Sequence, residues 1–375
     1  MFARTRYIAW AVAHFGQTSF DLATSGIPLV GAADLGLGGL ALDSPSAYAE
    51  LRDEVARYND VTAAEVVPAL GTSHALYLAY AALAGPGDEI LVESPGYEPL
   101  TRAAEGVGAT VRTFDRRADE GYRVVPERVA AAMGPRTRAI VVSNLHNPTG
   151  VRLPDELVAE LARVADARGA YVIVDEVYAP FDDLPVDGVF RGSARKIAAN
   201  VIAIASLTKA YGVGMHRVGW LLGPEEIVAR AEDAIVGSCG HLPVSHAAIG
   251  VAALARVGAL ATRARSLFEG KRAIVDAWAR AQPGATWSAP AEGLFGLVRL
   301  PGCGDLLPAI ERTARDTGVL VSAGSFFGVP DGFRRSWASC SPESLRQGLD
   351  LLGQAMTTWR AEALTAENAG AARRS

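Results

Sequence analysis

Lys209 is the residue whose type and position most clearly indicate chemistry. The chain uses arginine at almost every basic position and contains only three lysines, Lys196, Lys209 and Lys271. A neutral amine can attack a carbonyl and form a Schiff base, whereas a guanidinium stays charged. Lys196 and Lys271 each stand next to an arginine, and we predict that both are solvated surface cations. Lys209 instead follows the apolar run 201–205 and is followed by glycines, so it is the candidate nucleophile, with a lysine at a strand end by chance as the alternative.

Two further polar residues have the same placement as Lys209. Asn147, Asp175 and Lys209 each lie at or shortly after the end of a short apolar stretch, and helix-like sequence separates these stretches. In open α/β sheets, ligands bind beyond the carboxyl ends of the strands. We therefore expect the three side chains to converge on one small ligand.

Strand-like and helix-like segments alternate through the first two thirds of the chain. This pattern predicts an α/β fold with a mainly parallel sheet covered by helices. Its predicted strands are 89–92, 111–114, 139–142, 171–174 and 201–205. Since 375 residues exceed what one core usually serves, we predict a large domain at 45–255 and a smaller α+β domain formed by both chain ends, from an N-terminal arm at 1–44 and residues 256–375.

The sequence of the N-terminal arm predicts a short helix and an extended segment. The apolar segment 8–13 follows Arg4 and Arg6, but it lacks a long apolar region and a small-residue cleavage site. It therefore predicts an amphipathic helix and not a signal peptide. The Gly- and Ala-rich sequence around 21–28 predicts an extended segment that crosses a surface.

Composition excludes several classes of protein. Half of the residues are hydrophobic and 21% are charged, as in ordinary globular proteins. A net charge of −5 without a basic cluster gives no footprint for nucleic acid, and the apolar runs are too short to span a membrane. The three cysteines, Cys239, Cys303 and Cys340, lack metal or redox spacing, so we predict buried small hydrophobes in a reducing, cytoplasmic compartment. His241 and His246 also lack ligand spacing, and we predict structural roles and no metal site.

Four motifs, taken in order and spacing, resemble those of the class I/II aminotransferases, the fold type I enzymes that use pyridoxal 5′-phosphate. The motifs are His146-Asn147-Pro148-Thr149-Gly150, Asp175-Glu176-Val177-Tyr178, Ser206-Leu207-Thr208-Lys209 and Arg217-Val218-Gly219-Trp220. The resemblance runs from about Gly26 to Trp337. A single motif would carry little weight, since Asn-Pro-Thr-Gly alone is typical of a turn. Together they are specific, and they imply that the large domain binds this cofactor.

The resemblance assigns roles around the cofactor ring. Lys209 would hold the cofactor as an internal aldimine and then move a proton at the substrate α-carbon. Asp175 would pair with the pyridine nitrogen and keep it protonated, although a helix N-cap is the alternative for this residue alone. Asn147 and Tyr178 would donate hydrogen bonds to the phenolic oxygen. Tyr97 resembles the aromatic residue that stacks on the ring, with ordinary packing as its alternative.

The resemblance also assigns residues to the phosphate and to the substrate. A phosphate needs backbone N–H groups, hydroxyls and a cation, and a helix N-terminus favours an anion. The residues that match this set are Gly71, Thr72, Ser73, Ser206 and Arg217. Arg334 aligns with the arginine that binds the substrate α-carboxylate. Asn147 and Gly26 resemble the other family residues that lie close to the substrate. Its neighbour Arg335 would point to the opposite face if the segment is a strand.

The sequence departs from the family pattern in three places. His216 stands where an apolar residue is common, and it either reaches the substrate or is packed or solvent-facing. The family commonly offers a tyrosine from the partner subunit to the phosphate, within a segment that contains tyrosine and glycine. Here the corresponding residues 43–48 lack the usual glycine, and Tyr48 and Tyr58 are both candidates for this role. No second arginine is evident for a side-chain carboxylate, so an acidic substrate is not supported. The resemblance implies a homodimer.

The function that this resemblance implies is transfer of an amino group from an L-amino acid to a 2-oxo acid. A first alternative keeps the cofactor but makes the protein a lyase, a cyclase or an oxidase acting on an amino acid, because one carbanion can react in several ways. A second alternative is a non-catalytic relative that binds the cofactor or an effector. We expect no winged-helix segment or basic linker ahead of the fold, which disfavours this second alternative.

Overall fold

The computed structural model describes residues 3–288 and 293–372, with side chains up to residue 365. The strands are β1 (Phe20–Asp21), β2 (Val66–Leu70), β3 (Glu89–Ser94), β4 (Thr110–Asp115), β5 (Thr137–Ser143), β6 (Tyr171–Asp175), β7 (Val201–Ser206), β8 (Val218–Leu222), β9 (Thr286–Trp287), β10 (Phe295–Arg299), β11 (Val319–Leu320), β12 (Ser322–Ala323) and β13 (Gly332–Ser336). The α-helices are α1 (Arg6–His14), α2 (Ala47–Asn59), α3 (Thr72–Leu83), α4 (Glu98–Gly106), α5 (Pro126–Ala132), α6 (Asp155–Asp166), α7 (Glu225–Cys239), α8 (Val244–Leu254), α9 (Val257–Phe268), α10 (Lys271–Arg280), α11 (Leu307–Thr317) and α12 (Pro342–Ala372).

A seven-stranded sheet has the order β2-β8-β7-β6-β5-β3-β4. The strands from β4 to β7 run parallel, while β8 runs antiparallel to both β7 and β2. The predicted α/β class with a mainly parallel sheet is therefore confirmed. Strands β2 and β8 were not predicted. Pro68 in β2 argues against a central strand, and β2 indeed lies at the edge, where a missing N–H is tolerated.

The parallel strands are buried on both faces, which explains their continuous apolar runs. In β5, Ala139 and Val141 pack in the layer with α3, α4 and α7. The alternate residues Ile140 and Val142 pack in the layer with α5 and α6. The strands thus place their carboxyl ends, and not their faces, at the surface where a ligand can bind.

A second, four-stranded sheet has the order β12-β13-β10-β9. All four strands come from residues 286–336, whereas the seven-stranded sheet comes from residues 66–222. Strand β1 of the N-terminal arm pairs in parallel with β11, so the arm joins the later part of the chain. This pairing agrees with a small domain built from both ends, while the boundaries at 44 and 255 remain predictions.

The N-terminal helix α1 matches the predicted amphipathic segment and buries Tyr7, Trp10 and Ala11. Its start is held from a distant part of the chain, because the Glu98 carboxylate accepts the backbone N–H groups of Arg6 (3.0 Å) and Tyr7 (2.7 Å). An acidic side chain at this end of a helix also stabilises the helix dipole. Within the described ranges, no single helix combines the length and apolar character needed to cross a membrane.

Two predictions about individual side chains are wrong. Lys271 is only 6% exposed, and its Nζ donates to the carbonyl oxygens of Ala338, at 3.2 Å, and Cys340. Consecutive helix residues point in different directions, so the neighbouring arginine gave no information about the burial of Lys271. The cysteines are also not buried, since Cys239 is exposed and Cys303 and Cys340 are half-buried.

Candidate active site

A cavity of about 150 Å³ lies beyond the carboxyl ends of β5, β6 and β7. Most of the residues selected from the sequence line it, although they are far apart in the chain. These are Thr72, Ser73, Tyr97, Asn147, Asp175, Tyr178, Ser206, Lys209 and Arg217. The other three selected residues, Gly26, Gly71 and Arg334, contact members of this set. The convergence expected from the strand ends is therefore present.

Lys209 lies in the turn that follows β7, with its side chain directed into the cavity. The backbone of Gly26 packs against its aliphatic part, and a Cβ atom at Gly26 would lie 3.4 Å from Lys209 Cδ. Burial, with Arg334 and Arg217 nearby, lowers the pKa of the amine from 10.5 to about 8, and Asp175 opposes part of this shift. The amine is therefore neutral much more often than an ordinary lysine, as a nucleophile must be.

Asp175 ends β6 and is 6% exposed. Among the described residues its carboxylate accepts one hydrogen bond, from the Val177 N–H at 3.1 Å, and forms no ion pair. Burial raises the pKa of Asp175 from 3.8 to about 7, while Glu93 raises it further and Lys209 lowers it. The 3-10 turn Ala179–Phe181 follows, so Asp175 does not cap an α-helix there. A buried carboxylate with so few partners suits a cationic N–H group from a ligand, such as a pyridinium.

Arg334 is fully buried beside Asn147. Its Nη1 donates to Asn147 Oδ1 at 2.8 Å, which leaves the Asn147 amide N–H groups free to donate towards a ligand. Its other partners are also neutral oxygens, and its Nε has no partner in the described part of the chain. A buried guanidinium without an acidic partner suits an incoming carboxylate.

Arg335 and Tyr178 have environments that differ from that of Arg334. Arg335 points away from the cavity, where its Nη2 donates to the Val275 carbonyl oxygen and its guanidinium lies 4.7 Å and 4.8 Å from the Trp278 and Trp287 ring centres. Only one of the two adjacent arginines therefore faces Asn147, as strand alternation requires. The Tyr178 hydroxyl lies 2.7 Å from Ser25 Oγ at the cavity wall.

The opposite end of the cavity contains groups whose chemistry suits an anion. Helix α3 begins at Thr72, whose Oγ1 donates to Ser206 Oγ at 2.9 Å. Gly71 has φ +78°, and a Cβ atom there would lie 2.5 Å from Arg217 Nη2, so only glycine lets the guanidinium approach the helix start. Arg217 has no acidic partner among the described residues. Hydroxyls, a helix N-terminus and an unpaired guanidinium are the groups that bind a phosphate.

The open questions about the tyrosines and His216 are partly resolved. The Tyr58 hydroxyl is buried and lies 2.6 Å from the Tyr211 hydroxyl, so it is already engaged within this chain. Tyr48 is half-buried and remains the candidate for a residue shared between subunits. His216 does not line the cavity, whereas His246 is buried with its Nε2 3.1 Å from the Arg217 carbonyl oxygen.

A buried acid behind the cavity was missed by sequence reasoning. Glu93, at the end of β3, forms an ion pair with Arg116 at 2.6 Å, and both side chains are at most 1% exposed. Glu93 Oε1 accepts hydrogen bonds from the Ser143 N–H (2.8 Å) and hydroxyl, and Ser143 Oγ in turn accepts the Asn147 N–H at 3.1 Å. An acidic residue after the apolar run 90–92 was the available signal. Glu93 thus holds the backbone that carries Asn147.

Replacing Glu93 with alanine is expected to lower the free energy of unfolding by about 3 to 5 kcal/mol, because Arg116 then remains buried without a counter-charge. Urea denaturation followed by circular dichroism measures this change. The matched control is Asp119→Ala, which removes the exposed partner of Arg117 and should change stability little. Equal effects of the two substitutions would contradict the assignment.

Comparison with known proteins gives consistent matches. Residues 38–352 match the family model described as aminotransferase class I and II. The chain is 31% identical to arginine–pyruvate transaminase from Pseudomonas aeruginosa over 311 residues, which cover 79% of this chain and 77% of that protein. It is 30% identical to capreomycidine synthase from Streptomyces vinaceus over 292 residues, 77% of this chain and 73% of that protein. A mutant aspartate aminotransferase from Thermus thermophilus superposes with a TM-score of 0.81 at 25% identity, covering 94% of this chain and 97% of that one.

Proposed function

Because this chain belongs to the class I and II aminotransferase family, we propose that Lys209, Asp175 and the residues around them carry out a pyridoxal 5′-phosphate-dependent transamination. The enzyme moves an amino group from an L-amino acid to a 2-oxo acid. The family assignment confirms the resemblance predicted from the sequence. The observation that carries the proposal is the pairing, in one cavity, of an amine whose pKa is lowered with a buried carboxylate that lacks a cationic partner.

The described residues fit the cofactor at both ends. The unpaired Arg217, the hydroxyls of Thr72 and Ser206 and the start of α3 would hold its phosphate. The Asp175 carboxylate would hold the proton on its pyridine nitrogen. When bound, pyridoxal phosphate supplies an electron sink for the negative charge that develops at the substrate α-carbon.

The remaining steps belong to side chains of the chain. Lys209 Nζ would anchor the cofactor and, once released by the substrate amine, take the proton from the substrate α-carbon and return it at the neighbouring carbon. The Asn147 amide and the Tyr178 hydroxyl would donate hydrogen bonds to the phenolic oxygen. Arg334 would bind the substrate α-carboxylate and so fix which bond faces Lys209. These roles are proposals that the geometry supports.

The experiment that tests this function uses reconstituted protein and two half-reactions. Bound cofactor should give an absorption band, and borohydride should fix the cofactor to Lys209, as peptide mass spectrometry can detect. Adding a suitable L-amino acid should remove the band and release one 2-oxo acid, and a second 2-oxo acid should restore it. Protein that binds no cofactor after reconstitution would contradict the proposal.

A reaction other than transamination, such as a cyclisation, is the second candidate function, because one relative at 30% identity is named capreomycidine synthase and not an aminotransferase. The same spectroscopic assay separates the two. A transaminase needs an amino acceptor for turnover, whereas a cyclase turns over its amino acid without one. Product analysis with arginine and other amino acids, with and without a 2-oxo acid, decides between them.

A homodimer in the cytoplasm is also part of the proposal. Leu29 and Met215 are 57% and 76% exposed, and both lie near Gly214, whose carbonyl oxygen accepts a hydrogen bond from Arg217 Nη1 at 3.4 Å. Exposed apolar side chains at this position favour a covered surface. Light scattering coupled to size-exclusion chromatography measures the mass, and a monomer would contradict the dimer.

Uptake of pyridoxal phosphate by the cofactor-free protein is expected to accelerate as the pH rises through about 8. Below the lowered pKa, Lys209 is charged and cannot attack a carbonyl, and above it the amine is neutral. An ordinary lysine would keep gaining reactivity up to about pH 10. Stopped-flow absorbance measures the rate at each pH, with Lys209→Ala as the blank. A midpoint near 10 would show that the cavity does not perturb this amine.

A further inference from the structure

Helix α1 packs Tyr7 against Tyr97, which lines the cavity, and against two phenylalanine rings. The Tyr7 ring is 4% exposed and lies 5.7 Å from the ring centre of Tyr97, 5.8 Å from Phe326 and 5.5 Å from Phe327. The next residue, Ile8, lines the cavity itself. The N-terminal helix is therefore part of the cavity wall.

The Tyr7 hydroxyl contacts the arginine assigned to the substrate carboxylate. Arg334 Nη2 donates to Tyr7 Oη at 2.5 Å. The hydroxyl's own proton has no acceptor among the described residues, whereas buried tyrosine hydroxyls usually donate to one. An acceptor is therefore missing at a point next to a buried cation, which is the place for a carboxylate oxygen.

The contacts of Arg334 also indicate a carboxylate site beside Tyr7. Its guanidinium is fully buried: Nη1 donates to Asn147 Oδ1, Nη2 donates to Tyr7 Oη and to the oxygens of Ala23 and Ser322, and Nε has no partner among the described residues. A carboxylate oxygen that binds beside this guanidinium has the Tyr7 hydroxyl as its neighbour, because Arg334 Nη2 lies only 2.5 Å from Tyr7 Oη. An oxygen placed there receives one hydrogen bond from Arg334 and lies within reach of the Tyr7 proton.

We propose that Tyr7 is a substrate-binding residue whose hydroxyl donates its proton in a hydrogen bond to the α-carboxylate held by Arg334. This inference rests on the proposed function, because it requires a carboxylate at Arg334. Glu98 fixes the start of α1 through the Arg6 and Tyr7 N–H groups, so the hydroxyl stands near its position before the substrate arrives. Pre-positioning of this kind lowers the entropy cost of binding.

The test is Tyr7→Phe, which keeps the ring and its aromatic contacts and removes only the hydroxyl. Loss of a hydrogen bond to a charged group should raise KM for both the amino acid and the 2-oxo acid by about 10- to 100-fold, with kcat changed much less. Calorimetry should show a rise of the same size in the dissociation constant of the unreactive acid 3-phenylpropionate. Binding of the neutral 3-phenylpropanamide and uptake of the cofactor should not change.

Trp10→Phe is the matched control, because Trp10 lies on the same helix and packs 5.3 Å from Phe326 without contacting Arg334. Its KM should stay within about 2-fold of wild type. An unchanged KM in Tyr7→Phe, a lower KM, or an equal rise in Trp10→Phe would each overturn the proposal. In all three outcomes the wild-type enzyme still binds cofactor and turns over, whereas failure of the proposed function would abolish both.

Discussion

Lys209→Ala is expected to lower kcat for transamination by at least about 10⁴-fold. The substitution removes the nucleophile that anchors the cofactor and the base that moves the substrate proton, and proton transfer by a positioned group alone contributes up to about 10⁴-fold. The measurement is single-turnover kinetics with the amino acid that proves active. Borohydride should no longer fix the cofactor to the protein.

Lys196→Ala provides the control, since Lys196 forms a partly exposed ion pair with Asp60 at 2.9 Å and lies outside the cavity. It should retain wild-type kinetics. Lys271 is unsuitable for this purpose, because it is buried and its removal would test folding. Retention of more than about 1% of the activity in Lys209→Ala would place the base elsewhere, given the size of the contribution expected from it.

Asp175→Ala is expected to lower kcat by about 10²- to 10⁴-fold. Removing one member of a buried charge pair costs about 3 to 5 kcal/mol, and about 1.4 kcal/mol corresponds to a tenfold change in rate. Without the carboxylate, no group would hold the proton on the pyridine nitrogen of the bound cofactor, and the ring would be a weaker electron sink. Single-turnover kinetics measures the effect, and equilibrium dialysis measures the accompanying loss of cofactor affinity.

The matched control for Asp175 is Asp183→Asn, an exposed aspartate shortly after β6 that does not line this cavity. Its kinetics should equal those of wild type. If Asp175→Ala lowered kcat less than about 10-fold, the carboxylate would not act on the ring nitrogen, since a buried charge pair is worth more than that. Asp175 would then have a structural role at the end of its strand.

The sheet and the three chemical residues at its strand ends could be predicted because both depend on local patterns. A buried parallel strand is a short apolar run, and Asn147, Asp175 and Lys209 are each identified by the run before them. Strand β8 was not predicted because it directly follows the turn that carries Lys209 and Arg217 and runs antiparallel, without a helix to separate it from β7. The burial of Lys271 was not predicted because it depends on carbonyl groups 67 and 69 residues away.

The residues around the substrate end could not be predicted in the same way. Tyr7 meets Arg334 across 327 residues and is positioned by Glu98 across 91. The amphipathic pattern of α1 showed that one face of the helix is buried, but it could not show which residues this face contacts. Glu93 is similar, because a lone acid after an apolar run does not reveal the buried arginine that balances it.

The short connection between α1 and β1 limits how the cavity can widen. Glu98 holds the start of α1, and only residues 15–19 join the end of that helix to β1, which pairs with β11. An extended chain spans at most about 3.6 Å per residue, so this tether has a reach of roughly 20 Å. A separation of the two sheets that exceeds this reach must detach α1 from Glu98 or break the pairing of β1 with β11. Opening the cavity and releasing Tyr7 from Arg334 would then be one mechanical event.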